Sequence, residues 1–390
     1  MNNFLNRKTA ILGSAILFSS FQVHAEHGGG GLIESLSGFD VNKLSFFEQT
    51  GIEVGAWASA GGTINSNGNT NAPITFNSDV DKFQLSQFNF FMERAVNSDG
   101  DSWDIGGRID FMYGKDAAFT KAGGWDDEWT NDWSAADGYA IAMPQAYVEV
   151  FAPVGNGITA KLGHFYTTIG NEVVTSPDNF FYSHAYTMQY GEPFTHTGAL
   201  LSYDVSDNFS INGGVVTGWD NMTANDAAWN FLGGFSWTSD DEASSVTVQL
   251  IHGEQNQDEL DDTTMFSIVA THDFSDRLHY LIQHDHGRQQ NGVAGMQNAS
   301  WYGLNQYLTY DINEELAAGV RLEWFNDRDG VRIGNENANY YAVSVGVNYS
   351  PVSWFKLRPE LRYDCSNEDA YDNGDSDDQI GIAMDMIVTF

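Results

Sequence analysis

Residues 379–390 read QIGIAMDMIVTF and end the chain on an aromatic residue. Ile380, Ile382, Met384, Met386, Val388 and Phe390 share one face of an extended strand. Gln379, Gly381, Ala383, Asp385 and Thr389 share the other, where Ile387 is the only bulky aliphatic. Side chains alternate across a strand with period two, so this segment has an apolar face and a small or polar face. A strand of a transmembrane barrel has that pattern, with its apolar side toward lipid. An amphipathic edge strand of a soluble sheet has it too, and the rest of the chain decides between them.

Residues 1–25 carry a secretory signal pattern. Arg7 and Lys8 form a basic start, 10–21 is apolar, and Val23-His24-Ala25 is an A-x-A-like cleavage site. The apolar run is too short to span a bilayer as a helix. A membrane anchor or cytosolic helix is the alternative. No other stretch reaches 18 apolar residues, which excludes a helical membrane protein and leaves a barrel open. The 17 Lys and Arg face 53 Asp and Glu. Removing Arg7 and Lys8 with the signal leaves 15 basic residues against the same 53 acids. Such acidity disfavours nucleic acid and anionic partners. The single cysteine, Cys365, excludes an intrachain disulfide and CxxC-type metal or haem sites.

Period-two segments recur along the chain: 52–61, 83–94, 103–113, 142–151, 157–166, 194–205, 208–217 and 228–238 in the first part. In the second they fall at 243–252, 263–273, 277–287, 299–311, 315–325, 338–350, 352–364 and 379–390. Short connections such as NSDGDS (97–102), SDN (206–208) and NEE (313–315) alternate with long ones at 62–82, 114–141, 167–193, 218–227, 253–262, 288–298, 326–337 and 365–378. The reading is all-β: an antiparallel up-and-down transmembrane barrel of about 16 strands, with short periplasmic turns and long extracellular loops. It occupies 51–390, after a signal at 1–25 and a periplasmic segment at 26–50. In that segment Leu32, Ile33, Leu36, Phe39, Leu44, Phe46 and Phe47 suit a short amphipathic helix, and a disordered leader is the alternative.

Outward faces are apolar with aromatics at their ends. Examples are Trp103, Ile105, Ile109, Phe111 and Tyr113; Trp229, Phe231, Phe235 and Trp237; and Tyr341, Val343, Val345, Val347 and Tyr349. Inward faces are small, polar or charged. Lys356, Arg358, Glu360, Arg362 and Asp364 share one face, and a charge facing lipid costs about 2–4 kcal/mol for Arg or Lys near the midplane. Expected pore-lining residues are Arg108, Asp110, Glu149, Lys161, Arg321, Glu323, Lys356, Arg358, Glu360, Arg362 and Asp385. The stretch 167–193 is long enough to fold into the lumen, and Glu172, His184, Glu192 and His196 in or beside it are expected at a constriction.

Other chemistry is weaker. DNGDSDD (372–378) clusters oxygen ligands but lacks a full EF-hand pattern, so weak Ca²⁺ or Mg²⁺ binding by the acidic outer loops is the most it supports. Trp125, Trp129 and Trp133 recur at helical spacing, more in keeping with packing than with a binding platform. His284 and His286 share a strand face without further zinc ligands. Ser66-Asn67 has no histidine placed nearby. No catalytic site, metal site or resident cofactor is expected.

The terminal Phe390 resembles the C-terminal signature of bacterial outer-membrane proteins, which their insertion machinery reads. Residues 163–220 contain GHFYTTIGNE (163–172), NFFYS (179–183), PFTHTG (193–198), Tyr203 and VVTGWD (215–220). This stretch resembles the OmpL-like family of β-barrel porins. The resemblance implies a porin of the bacterial outer membrane, with lipids, the insertion machinery and small hydrophilic solutes or ions as partners, and it allows a homo-oligomer. It carries no catalytic residues. A non-channel barrel, an adhesin or a scaffold sealed by its loops, is the other reading.

Overall fold

Residues with alternating apolar and polar side chains pair into one continuous ladder. The computed structural model describes residues 30–390 apart from 69, 99, 130–137, 224–228, 255–261 and 294–296. The strands are β1 (Glu53–Asn65), β2 (Lys82–Arg94), β3 (Asp104–Gly114), β4 (Ala140–Ala152), β5 (Ile158–Tyr166), β6 (Thr195–Ser206), β7 (Phe209–Val216) and β8 (Asn230–Thr238). They continue as β9 (Ser244–Glu254), β10 (Asp262–Ser275), β11 (Leu278–Val293), β12 (Gln297–Asn313), β13 (Leu316–Asp327), β14 (Ala338–Val352), β15 (Phe355–Ser366) and β16 (Asp378–Thr389). Each pairs antiparallel with its sequence neighbours, and β1 pairs with β16 to close the barrel. Closure leaves no unpaired edge, which a lipid environment requires because it offers no water to bare backbone groups. The closing register sets Trp57 opposite Thr389 and Gly61 opposite Asp385.

All sixteen segments read from the sequence are strands. Most differences lie at the long-loop rim, where β1 runs on to Asn65 and β11 and β12 continue across much of the expected loop 288–298. Signal residues 1–25, Trp133 and most of the acidic run 258–262 lie outside the described residues. No described helix is long and apolar enough to cross a membrane. The crossing elements are the strands.

The wall has the expected two faces. On β16, Ile380, Ile382, Met384 and Met386 are exposed, whereas Gln379, Ala383, Asp385 and Ile387 are buried. On β14, Tyr341, Val343, Val345 and Tyr349 are exposed on the outer surface. An apolar band that encircles a molecule is stable only against lipid. At the short-turn rim, two short helices, α1 (Leu32–Ser37) and α2 (Ser45–Thr50), lie before β1. Asn42 ties them to the barrel: its amide donates to Val54 O (3.0 Å) and its side-chain oxygen accepts from Val54 N (2.9 Å).

Candidate functional site: the loop-filled lumen

Inward positions of the strands meet a loop rather than open space. The third long loop, L3 (167–194), turns into the barrel, and its side chains are buried nearly throughout, as are Phe165 and Tyr186 in the principal core cluster. It contains a 3₁₀ turn (Ser176–Asp178) and a π-helical turn (Thr187–Gly191). Two wall glycines make room for it. A Cβ at Gly303 would collide with the Thr187 methyl, and one at Gly319 with the Phe180 ring. Phe180 and Phe181 fill the space against Val269, Leu281, Tyr307 and Ala317.

Three wall arginines hold the loop. Arg358 Nη1 donates to Ser176 O (2.9 Å), Asn179 O (2.7 Å) and Phe181 O (3.1 Å). Its other edge makes a bidentate pair with Asp385 (2.8 and 2.7 Å). Arg321 pairs with Glu172 (2.6 Å) and Glu323 (2.7 Å) and donates to Ser183 O (2.7 Å). Arg362 pairs with Glu323 (2.9 Å) and Asp364 (2.8 Å) and donates to His184 O (3.1 Å). Glu360 accepts from the Ser183 amide (3.0 Å) and hydroxyl, and Lys356 Nζ donates to Pro177 O (2.8 Å). A buried guanidinium is stable only when its charge and its N–H groups are both satisfied, and loop carbonyls and wall carboxylates together do this. The arginine wall is therefore neutralised: Glu172, Glu323, Glu360, Asp364 and Asp385 surround Arg321, Arg358 and Arg362.

Loop residues complete the clasp. Glu172 accepts from Tyr307 OH (2.9 Å) and the Ala185 amide (2.8 Å) and contacts His184 Nδ1 (3.1 Å). Burial would raise the pKa of the Glu172 carboxyl, but the Arg321 charge and the His184 contact outweigh it and hold it well below the ordinary value. Glu192 is the opposite case. Burial and the nearby Asp285 carboxylate push it well up, and Gln283 Nε2 bridges the two carboxyl groups. His196 stands on β6, beside the loop, between Thr167 Oγ1 (2.9 Å) and Gly218 O (2.9 Å).

The remaining expected residues lie on another sector, β3–β5. Arg108 pairs with Glu93 (2.9 Å) and Asp110 (2.6 Å), and Lys161 with Glu149 (3.5 Å). The Arg108 and Lys161 side chains are 19% and 29% exposed, against 0% for Arg321 and 2% for Arg358. Arg108 lies over the Phe91 ring (4.4 Å) and Lys161 over Tyr147 (4.4 Å). Asp110 is buried, within reach of Asn89 (3.2 Å) and Gln145 (3.4 Å). Hydroxyl pairs Ser236–Thr247 (3.0 Å) and Ser245–Thr271 (2.7 Å) continue this part-exposed polar wall.

Several loop anchors escape sequence reasoning. Gln87 donates to Val174 O (2.6 Å) and accepts from Ser176 N (3.1 Å); Trp301 Nε1 donates to Gly191 O (3.1 Å). Inward amides on period-two strands are the one signal available for Gln87, Gln283 and Asn305. Arg332, from the loop after β13, donates to Tyr190 O and lies over Trp219 (4.8 Å) and Trp301 (4.9 Å), and no local pattern marks it. Ser66, by contrast, has an evident structural role: its hydroxyl accepts from Ile380 N (3.1 Å) at the β1–β16 seam.

The family model described as "Putative beta-barrel porin-2, OmpL-like" matches residues 51–390. No curated protein matches the chain. Among solved structures, the outer membrane channel DcaP of Acinetobacter baumannii is similar at 12% identity and TM-score 0.58, over 87% of this chain and 97% of that one. The anion-selective porin from Comamonas acidovorans is similar at 9% identity and TM-score 0.58, over 87% and 99%. OmpT of Vibrio cholerae in its trimer form is similar at 11% identity and TM-score 0.57, over 87% and 99%. At such identities the likeness is one of fold.

Proposed function

The chain belongs to the OmpL-like family of β-barrel porins, and from that premise we propose that it is a passive diffusion channel of the outer membrane for small hydrophilic solutes or ions. The observation that carries this reading is the polar lining of the lumen on the short-turn side of L3. The loop packs around the ring, with its hydrogen bonds and ion pairs concentrated on β11–β15 and apolar contacts reaching β3, β4 and β6–β10. Toward the short turns, the wall from β3 to β10 keeps part-exposed charged and hydroxyl side chains on its inner face. Solutes pass along that polar wall and are filtered by L3. Arg108, Glu149 and Lys161 act directly on permeating ions. Arg321, Arg358 and Arg362 act by holding the constriction. Glu172, His184 and Glu192 are parts of that constriction, and His196 braces its end. The solute gradient supplies the driving force, so no catalytic step is needed and no enzymatic activity is proposed. The OmpT trimer form makes a homo-oligomer part of the proposal, to be checked by the mass of the detergent-solubilised particle.

The test is a planar bilayer. The folded protein gives stepwise conductance, and in a salt gradient Lys161→Gln moves the reversal potential toward cation preference. Folded protein that never conducts overturns the channel reading. One observation favours the second reading, a barrel sealed by its loops: the inward side chains of Asn89, Gln249, Gln283 and Asn305 are no more than 2% exposed. A sealed barrel is silent as purified and conducts only after L3 is removed.

A further inference from the structure

The outer surface carries one feature that solute passage does not use. Aromatics bracket the apolar band: Tyr310 and Tyr302 on β12, Tyr349 and Tyr341 on β14. Interfacial aromatics mark the headgroup levels of a bilayer. Ser300 is the first outward residue beyond Tyr302 on the long-loop side. Arg288 pairs with Ser300 across β11–β12, and the Arg328 amide bonds Ser300 O (3.2 Å) from the β13 side. The two exposed arginines thus flank Ser300, Arg288 on β11 and Arg328 directly after the end of β13, about 10 Å apart at two strand spacings. Together with His286, Tyr302 and Asp329 they line a cavity of about 390 Å³.

Two exposed arginines lie close together here. Outward-facing Arg94, at the short-turn rim, is paired with Asp104 (2.9 Å). Among the described residues neither Arg288 nor Arg328 has a carboxylate within salt-bridge distance. Asp329 lines the same cavity, but its carboxylate accepts from Ser300 N (2.8 Å) and Ser300 Oγ (3.2 Å). His286 stacks on Tyr302 (4.5 Å), which gives the cavity a flat aromatic floor. Two unpaired guanidinium groups just above the aromatic belt match a phosphate monoester, which accepts bidentate hydrogen bonds from arginine. Basic clusters at this depth are a recurrent form of lipid headgroup recognition.

We propose that Arg288 and Arg328, on either side of Ser300 and above the His286–Tyr302 stack, form a binding site for the phosphate of a membrane lipid in the leaflet on the long-loop side. The lipid's acyl chains continue down the apolar wall below Tyr302, and its phosphate lies between the two guanidinium groups. The strongly acidic chain thus keeps one local basic site where an anionic lipid meets it.

The test uses full-length protein in detergent micelles with a bisphosphorylated glucosamine-disaccharide lipid, and native mass spectrometry as readout. Wild-type protein retains the lipid. Arg288→Gln/Arg328→Gln lowers its occupancy at least tenfold, and each single variant lowers it partway, which keeps the test decisive if the double variant does not fold. Arg277→Gln, in the short turn before β11, leaves occupancy unchanged. Equal occupancy in wild type and the double variant overturns the proposal, as does equal retention of the same lipid stripped of its phosphates. Binding of inorganic phosphate without lipid reassigns the site to a free anion and overturns the lipid assignment. Single-channel conductance of the folded variants stays at the wild-type value, so this result is independent of the channel reading.

Discussion

At the residue scale, Arg358 concentrates the logic of the lumen. One guanidinium satisfies three loop carbonyls through one nitrogen and Asp385 through the other edge, with 2% of its side chain exposed. Breaking a buried ion pair by removing one partner costs about 3–5 kcal/mol, because the other charge stays buried without compensation. Arg358→Gln is expected to lower the thermal midpoint in micelles and to give a larger, noisier conductance as the 176–181 segment loosens. Arg358→Gln/Asp385→Asn removes both charges. It is expected to recover part of the lost stability and little of the quiet conductance, since the loop carbonyls still lack their donor. Equal stability of the single and double variants would show that the orphaned Asp385 is not what destabilises the single one.

At the element scale, L3 and the strands have different origins. The strands are specified locally, by alternation and turn residues. The loop is specified by the wall it meets, through arginines from β13 and β15, amides from β2, β11 and β12, and the space left at Gly303 and Gly319. Replacing 172–191 by a short Gly-Ser linker is expected to leave the strand ladder intact, because no strand-to-strand hydrogen bond passes through the loop. Circular dichroism and heat-modifiable gel migration should stay as in wild type. Single-channel conductance should rise several-fold. A variant that fails to close into a barrel would mean that the loop is needed for folding as well as for constriction.

At the scale of the whole molecule, acids that are buried outside the strands make stability depend on pH. Burial raises Asp116 to about 8, with the Asp385 charge adding to it and Gln87 opposing. Burial raises Asp220 to about 7 against the Thr195 and Phe194 amides, and Glu192 is raised as well. The unfolded chain ionises these carboxyls near pH 4, whereas the folded barrel keeps them protonated. The folded state then binds more protons, so stability falls as pH rises from about 4 and levels off only above the folded values. Glu172 has the opposite sign and contributes on the alkaline side of its unfolded value. The thermal midpoint of the wild type is expected to fall between pH 5 and 9, and Asp116→Asn to flatten part of that slope. A slope identical in the variant would remove Asp116 from the account.

The barrel was legible in the chain because its rule is local. QIGIAMDMIVTF and fifteen other segments each state which face meets lipid, and the alternation of short and long connections orders them in a ring. Residues 163–220 pointed to the family for the same reason, as one contiguous run. The lumen was legible only in composition. Arg321, Arg358 and Arg362 could be placed on an inward face, yet nothing local tells that they meet Ser176, Asn179 and Ser183, which lie far away in the chain. Nor does any pattern announce that Arg332 reaches Tyr190 or that Gln87 reaches Val174. Alternation along a strand encodes direction, inward or outward, and so by itself determined the barrel. What each inward side chain meets depends on how a distant loop fills a closed space, and only the tertiary structure decided that, because shape fit and hydrogen-bond satisfaction in a confined volume are properties of the assembled ring.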